Sequence, residues 1–277
     1  MVKSQTVKKI MAKSYLWLVL FIMYLPILVL IIYSFTKSDQ LGVWTGFSFE
    51  LYKDLFDNES LMRATRNTFI IAIVSAVVST IIGTLGAIGS FYASRRTRKL
   101  IESATQLPVV NAEIVMALSL AILFKSFNTS YSFATLLIGH IVLTVAFVYL
   151  NVKPKLVQMD PNTYEAALDL GSTPWHALFK VVLPEILPGI FSGFLISMTL
   201  SLDDFVITQY LKEPSFETIS TYIQKIVAKH PIPPEVRALS TILIVVVFSV
   251  VIGTTIYNNN KANKIAKFRG LKKWLRN

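Results

Sequence analysis

Long apolar stretches separated by shorter polar ones dominate the sequence. Six of them are long enough to cross the hydrocarbon layer of a membrane as a helix, which takes about 20 residues. Open strands are excluded there, because lipid offers no partners for their backbone N–H and C=O groups. The pattern therefore predicts an all-α membrane protein with six transmembrane helices. They are expected at about residues 15–35, 68–92, 104–124, 131–151, 187–210 and 239–258.

The composition agrees with this class of protein. Hydrophobic residues make up 53% of the 277 positions and charged residues 16%, whereas soluble domains average about 25% charged residues. There is no cysteine, which excludes disulfides, thiolate metal sites and lipid attachment at Cys. The first apolar stretch follows four lysines, as a signal peptide would. It is too long for one and lacks a small-x-small cleavage site, so an uncleaved first helix is predicted.

The positive charge is distributed by membrane side. The formal net charge is +11, yet no Lys or Arg falls inside a predicted span. With the N-terminus inside, 18 of the 27 Lys and Arg residues lie on the inner side. Inner loops are enriched in these residues, so both termini are predicted to be cytoplasmic. We expect the basic tail to contact anionic lipid headgroups, and we expect no nucleic-acid partner.

Three parts are predicted along the chain. Residues 1–65 form an N-terminal tail, the first helix and an outer loop; residues 66–258 form the helical core; residues 259–277 form the basic cytoplasmic tail. A long inner loop, 152–186, interrupts the core, and long loops in compact proteins tend to be functional. We find no internal repeat, which counts against the secondary transporters built from inverted repeats.

The inner loop is predicted to contain a helix, a glycine bend and a second helix. Asp160 or Asn162 can cap the first helix, and Gly171 is a plausible stop for it. Ser172 or Thr173 can cap the second, which begins at Pro174 and is expected to stop before Leu183-Pro184. Ala166 and Ala167 have small side chains, so another protein's backbone can approach closely. The alternative is an interfacial helix without a partner.

The spacing in this loop carries a resemblance. Glu165-Ala166-Ala167, then Gly171, then Val181-x-Leu183-Pro184 resembles the EAA loop of the permeases of binding-protein-dependent ABC importers, although that family prefers Ile at position 181. The resemblance implies a type I (MetI-like) permease fold in the bacterial cytoplasmic membrane. It also implies a heterodimer with a second permease subunit, two ATP-binding subunits and an extracytoplasmic substrate-binding protein. The residues implied in ATPase coupling are Glu165, Ala166, Ala167, Gly171, Leu183 and Pro184.

Three acidic residues fall inside the predicted spans: Glu113, Asp203 and Asp204. A carboxylate within the bilayer is costly and marks a functional site by default. Since no Lys or Arg lies in a span to pair with them, one interpretation is a path for a cation. The other interpretation is structural, with the carboxylates either protonated or capping broken helices. Pro108, five residues before Glu113, is expected to disturb the third span. A Mg²⁺ site is disfavoured, because it needs further acids at helical spacing.

Four stretches resemble the PotC-type permeases for spermidine and putrescine. They are residues 113–119, 201–208, 213–217 and 234–239. This resemblance implies a polyamine importer in which Asp203, Asp204 and Glu113 line the substrate path. Polyamines are polycations, and clustered carboxylates suit them through charge.

Alternatives remain at this stage. An ABC importer permease for another cation or metal ion, or a stand-alone secondary carrier, fits the same residues. The sequence has no phosphate-binding glycine loop, so the ATPase is predicted to be a separate chain, and this chain is predicted to be a transport subunit rather than an enzyme. No cofactor or metal is expected on this chain, since ATP and Mg²⁺ would bind the ATPase subunits.

Two further features are predicted to serve packing. His140, within the fourth span, is expected to be a satisfied polar group between helices rather than a proton relay. Gly83-x-x-Gly86-x-x-Gly89 in the second span forms a stripe of small residues, which is typical of close helix contacts.

Overall fold

The structure, a computed structural model, describes residues 2–38, 40, 42–228, 233–249, 252–253 and 256. The predicted basic tail lies outside the described residues. In the part described, the regular secondary structure is helical, apart from one isolated β-bridge between Thr36 and Phe47. The helices are α1 (Val2–Tyr33), α2 (Glu50–Asp57), α3 (Glu59–Tyr92), α4 (Arg95–Val110), α5 (Glu113–Ser126), α6 (Phe133–Gln158), α7 (Pro161–Asp169), α8 (Pro174–Ala177), α9 (Leu183–Asp203), α10 (Val206–Leu211), α11 (Ile219–Val227) and α12 (235–249).

Four apolar helices are long enough to cross a membrane: Lys13–Tyr33, α3, α6 and the continuous run Pro174–Asp203. A fifth span is present if α4 and α5 are counted as one broken element. The all-helical prediction is confirmed. The sixth predicted span, 239–258, begins within α12 and continues beyond the described residues, so six spans stay a prediction.

The third span, predicted as one helix over 104–124, is wrong in detail. The chain breaks at Asn111 and Ala112, both in extended conformation, and α4 and α5 meet at 108°. Pro108 removes one backbone hydrogen bond from the turn before the break. Glu113 then opens α5 from its first turn, where a carboxylate is favoured by the positive end of the helix dipole.

The second helix of the inner loop does not stop before Leu183-Pro184, contrary to the prediction. A π-helical turn, Leu178–Val182, joins α8 directly to α9. The Leu183 N–H donates to the Leu178 carbonyl oxygen, five residues back. A wider turn of this kind accommodates the ring of Pro184, which has no N–H to give to the usual ladder. The fifth span therefore starts at the loop itself.

The described chain forms two compact units, one of which comprises residues 60–229. Its centre is α6, where Val148 is fully buried. A Cβ built on Gly83 of α3 would lie 2.7 Å from the Val148 Cβ, and one on Gly193 of α9 would lie 3.1 Å from its Cα. Two helices therefore approach α6 at one residue. The buried cluster around it comprises Ala87, Val148, Tyr149, Val152, Leu156, Met159, Val182 and Ile186.

Helix α9 faces α6 with small residues spaced four apart. Gly189, Gly193, Ser197 and Ser201 are all buried. A Cβ on Gly189 would lie 2.9 Å from the Asn151 carbonyl oxygen, so the two backbones nearly touch. Such small-xxx-small stripes are how helices associate where lipid replaces water as the solvent.

The other unit combines the described residues before Ser60 with those from residue 233 onward. Arg237 is buried there, and its guanidinium donates to the carbonyl oxygens of Tyr33 (3.3 Å) and Ser38 (3.0 Å). Tyr33 is the last residue of α1, where a cation is favoured by the negative end of the helix dipole. The outer segment that follows is packed by aromatic contacts among Phe35, Phe47, Phe49 and Tyr52.

The glycine stripe of α3 predicts unequal effects of adding one methyl group. Gly83→Ala places a Cβ against Val148, with the Val145 carbonyl oxygen 3.0 Å away, so we expect a loss of about 1–3 kcal/mol from overpacking. Gly89→Ala, where nothing lies within 4 Å, should instead gain up to about 1 kcal/mol of helix propensity. Thermal unfolding of the two purified variants in the same detergent measures the difference. Equal midpoints would contradict the packing of α3 on α6 described here.

Candidate functional site

The site is built around a break in the run of helix from α9 to α10. Helix α9 ends at Asp203, Asp204 is extended (φ −63°, ψ 127°), and α10 begins at Val206. A helix end leaves about four carbonyl groups without an intrahelical partner. Together they carry about half a negative charge. The break thus brings a partial negative charge to the same place as two carboxylates.

Asp204 is buried and caps the helix that follows it. Its side chain is 0% exposed. One carboxylate oxygen, Oδ1, accepts from the Ile207 N–H (3.1 Å), and Oδ2 accepts from the Thr208 N–H (2.8 Å) and the Thr208 hydroxyl (2.6 Å). These bonds satisfy the first amides of α10, which would otherwise lack partners. The contacts of Asp204 therefore agree with the structural interpretation, in which a carboxylate caps a broken helix.

His140 reaches the same break from α6. Its Nδ1 lies 2.7 Å from the Ser201 hydroxyl, and its Nε2 lies 3.1 Å from the Thr208 hydroxyl and 3.4 Å from Asp204 Oδ2. Both ring nitrogens thus have partners on other helices, as the sequence predicted for a polar group between helices. The Ser75 hydroxyl of α3 donates to Ser201 (2.9 Å), which brings a third helix into the network.

Glu113 and Asp203 complete the acidic group. Glu113 is half-buried in the first turn of α5, and its carboxyl interacts with that of Asp204 and lies near that of Asp203. Asp203, unlike Asp204, is exposed. The structure therefore brings together all three acids singled out by the sequence, at the point where two broken helices meet. We call Glu113, Asp203 and Asp204 the acidic cluster.

Hydrophobic packing holds the two broken helices side by side. Ala117 of α5 and Leu143 of α6 share a buried cluster with Ile207 and Leu211 of α10. A Cβ on Gly139 would lie 2.5 Å from Leu211 Cδ1 and 2.6 Å from Ile207 Cγ2. Helix α10 is therefore seated directly on the backbone of α6, one residue before His140.

Sequence reasoning missed the polar partners of the cluster. Ser75, Ser201 and Thr208 are buried hydroxyls on three helices. A signal was available for one of them. Asp204 is followed four residues later by Thr208. The amide and the hydroxyl of a Thr at that distance can both donate to the Asp carboxylate when the Asp caps a helix start. The contacts from α3 and α6 leave no such local pattern.

The inner loop has the predicted helix–glycine–helix form. Asp160 Oδ1 accepts from the Asn162 N–H (3.0 Å) and so caps α7. Gly171 ends α7 with φ +86°, a left-handed conformation that favours glycine. Thr173 then caps α8, whose first residue is Pro174. Within the loop, Leu170 and Trp175 are 88% and 71% exposed.

The residues of the proposed coupling pattern divide into two groups. Glu165, Ala166, Gly171 and Pro184 are exposed, and Ala167 is half-buried. Leu183 instead packs against the buried cluster around Val148. The first part of the pattern lies on the surface, whereas Leu183 ties the loop to the helical core. Within the described residues, no three His, Asp or Glu side chains are arranged to hold a metal ion.

Sequence comparison places most of the chain in one family. The family of the inner membrane components of binding-protein-dependent transport systems matches residues 79–262. The chain is 34% identical over 240 residues to the spermidine/putrescine transport system permease protein PotC of Escherichia coli (strain K12), covering 86% of this chain and 90% of that one. It is 35% identical to PotC of Haemophilus influenzae, covering 86% and 93%. The putrescine transport system permease protein PotI of Escherichia coli (strain K12) is 32% identical, covering 80% and 81%.

Solved structures share the fold. A chain of a bacterial ABC transporter involved in the import of the acidic polysaccharide alginate superposes with a TM-score of 0.68, covering 90% of this chain and 92% of that one at 19% identity. A chain of an amino acid ABC transporter crystallised with histidines gives a TM-score of 0.52 at 17% identity, covering 73% and 92%. The helical arrangement described above is thus that of an ABC transporter chain.

The cap on α10 predicts different stability effects at two adjacent aspartates. Asp204→Asn turns one acceptor oxygen into an NH₂ group facing a backbone donor, so we expect a loss of about 1–3 kcal/mol. Asp203→Asn changes an exposed residue and should stay within about 0.5 kcal/mol. Thermal unfolding of both purified variants tests this. Equal destabilisation would show that Asp204 is not the residue on which α10 depends.

Proposed function

Because the chain belongs to the family of binding-protein-dependent transport system inner membrane components, we propose that it is the permease subunit of an ATP-driven polyamine importer. It is a multi-pass protein of the bacterial inner membrane. In the proposed complex it forms half of the translocation path, beside a second permease subunit. Two ATP-binding subunits hydrolyse ATP, and an extracytoplasmic binding protein delivers spermidine or putrescine. ATP and Mg²⁺ bind the ATPase subunits, and this chain has a transport role only.

The acidic cluster is the observation that carries the cargo assignment. Three carboxyl groups and the carbonyl end of α9 meet in a segment where the sequence has no Lys or Arg to neutralise them. A polyamine supplies several positive charges spaced along a flexible apolar chain, which suits separated carboxylates. The relatives that are 32–35% identical are named as spermidine/putrescine or putrescine permeases, which supports the same cargo.

The three acids differ in their exposure, and we assign them different roles. Asp204 already accepts three hydrogen bonds within the protein, so its role is to hold α10 and to contribute negative charge. Asp203 is exposed and Glu113 half-buried, so these two are available to touch the ammonium groups of the cargo. Weak, repeated contacts of this kind let a cation enter and leave a path.

The inner loop is the proposed contact for the ATPase. Closure of the ATP-binding subunits would move the exposed α7–α8 segment, and the helices would rock between inward and outward openings. Glu165, Ala166, Ala167 and Gly171 form the docking surface in this proposal. Leu183 and Pro184 are the first two residues of α9, and the π turn joins them to α8 without a break, so in this proposal they pass the motion directly into α9.

A different cation is the alternative cargo, because the same carboxylates would attract a metal ion. Uptake of labelled spermidine by proteoliposomes containing the whole complex, challenged with unlabelled putrescine, Mg²⁺ or K⁺, separates the two. Competition by putrescine alone supports the polyamine assignment. Co-purification of the ATP-binding subunits with this chain separates an importer from a stand-alone carrier.

Removing charge from the available acids is predicted to weaken cargo uptake. We expect Asp203→Asn and Glu113→Gln each to raise the KM for spermidine about tenfold, the effect of losing a charge-assisted contact. The measurement is spermidine uptake by proteoliposomes with the assembled complex and its binding protein. Glu102→Gln is the control, since this carboxylate forms a half-exposed ion pair with Lys153 and lies on α4, on the other side of the Asn111–Ala112 break from Glu113. Unchanged KM with intact ATP hydrolysis would rule out the cation path.

Adding a side chain at Gly171 is predicted to disturb coupling. A left-handed φ costs an alanine about 1–2 kcal/mol, so Gly171→Ala shifts the bend between α7 and α8. We expect less ATPase subunit to co-purify and fewer polyamine molecules transported per ATP hydrolysed. Ser172→Ala, next to it but without a special backbone conformation, serves as the control. Wild-type coupling in Gly171→Ala would show that this bend does not seat the ATPase.

A further inference from the structure

One imidazole connects the two sides of the helix break. Ser201 lies in α9 before the break and Thr208 in α10 after it. His140, from α6, contacts the hydroxyls of both, at 2.7 and 3.1 Å. All three side chains are 0–2% exposed. No backbone hydrogen bond of the usual helical ladder can cross this point, because the first amides of α10 are turned toward the Asp204 carboxylate.

The hydrogen atoms of this network run in one direction. The Thr208 hydroxyl has a single proton and donates it to Asp204 Oδ2 at 2.6 Å. Its oxygen must then accept from His140, which assigns the ring proton to Nε2. In the neutral ring Nδ1 accepts from the Ser201 hydroxyl, whose oxygen accepts from Ser75 at 2.9 Å. Each donor points toward the next acceptor, and this series of hydrogen bonds ends at the Asp204 carboxylate.

The position of His140 on α6 is itself constrained. Gly139 lets Ile207 and Leu211 of α10 approach the α6 backbone directly. The Thr144 hydroxyl donates to the His140 carbonyl oxygen (2.7 Å) and is bonded to Ser79 of α3 (2.7 Å). The imidazole is therefore held within closely packed helices of the core. It can therefore restrain the Ser201 and Thr208 side chains to which it is hydrogen-bonded.

We propose that His140 is a positioning residue for cargo binding: it clamps α9 to α10 across the break and so fixes the spacing of the acidic cluster. The proposal rests on the function proposed above, in which Asp203 and Glu113 contact the cation. His140 does not touch the cargo. It orients Thr208, and through Thr208 it orients Asp204, whose carboxyl neighbours that of Glu113.

Loss of the clamp should alter recognition more than turnover. In His140→Leu the Thr208 hydroxyl and the Ser201 hydroxyl lose their common partner, and the break gains freedom. We expect a KM for spermidine raised about tenfold, in line with the loss of a buried hydrogen bond, with kcat within about twofold of wild type. We also expect the preference between spermidine and putrescine to shrink, because that preference depends on fixed distances between charges.

Two conservative variants make the test specific. An Asn amide reaches about as far as Nδ1 and can bond to Ser201 only, whereas a Gln amide nitrogen reaches about as far as Nε2 and can donate to Thr208. The Gln amide keeps the bond through which His140 orients Thr208 and Asp204 but gives up the bond to Ser201. We therefore expect His140→Gln to raise KM less than His140→Leu does, and His140→Asn to behave like His140→Leu. Thr208→Val removes the hydroxyl at nearly constant volume, and its effect on KM should not add to that of His140→Leu.

The experiment measures uptake kinetics of labelled spermidine and putrescine in proteoliposomes with the complete complex. Ser90→Ala is the matched control. It removes another buried bond between α3 and α6, from Ser90 to the Tyr149 hydroxyl (2.8 Å), away from the break, and its KM should stay within about twofold. If His140→Leu does not assemble, the Gln and Asn variants and Thr208→Val decide the matter.

The contradictory outcomes are distinct. A wild-type KM and selectivity in His140→Leu, or equal effects in His140→Gln and His140→Asn, would overturn the positioning role. So would a Ser90→Ala variant with the same raised KM, because the effect would then be general loosening. Failure of the proposed function gives a different result: the wild-type complex would show no saturable polyamine uptake at all.

Discussion

A carboxylate buried among helices must be satisfied by the protein, and the geometry of the site depends on how Asp204 is satisfied. Burying an isolated charge is expensive, yet this side chain is fully buried. Three hydrogen bonds from residues 207 and 208 compensate it. Those donors are free only because α9 has ended and α10 is starting. The break thus supplies the donors that the buried acid needs, and the acid satisfies the amides that the break exposes.

The helical core supports that arrangement through contacts between backbones. Where lipid surrounds a protein, apolar side chains gain little by leaving it, so close packing and polar contacts between helices carry the association. Gly83, Gly193 and Gly189 bring α3 and α9 onto α6, and Gly139 does the same for α10. Buried hydroxyls then bond across the narrow gaps, as Ser79 does with Thr144 at 2.7 Å. A rigid platform results, on which the acidic cluster is placed.

Part of this could be predicted from sequence because the signals are local. Apolar length predicts the spans, Asp160 and Thr173 cap helices in the way their side chains favour, and Gly171 adopts the left-handed conformation expected of a helix stop. The break at Asn111 and Ala112 could not be placed, since Pro108 only weakens a helix and tertiary contacts decide where it bends. The π turn before Pro184 could not be predicted either. A proline usually ends a helix, but here the wider turn lets the helix continue past it.

The acids illustrate the same limit. Their presence in a span predicts a function, but not which of them is held by the protein and which is open. Asp203 and Asp204 are neighbours of the same type, and only the direction of the chain at the break separates an exposed carboxylate from a buried cap. Similarly, nothing in the sequence near His140 indicates that its two nitrogens would meet residues 201 and 208.

The π turn that carries the chain past Pro184 has a mechanical consequence. Since it joins α8 to α9, a single helical rod of 30 residues runs from Pro174 to Asp203, a length of about 45 Å. One end carries the exposed Trp175 of the inner loop, and the other ends at the acidic cluster. A tilt of about 5° about the Trp175 end would displace the carboxylate at the far end by about 4 Å.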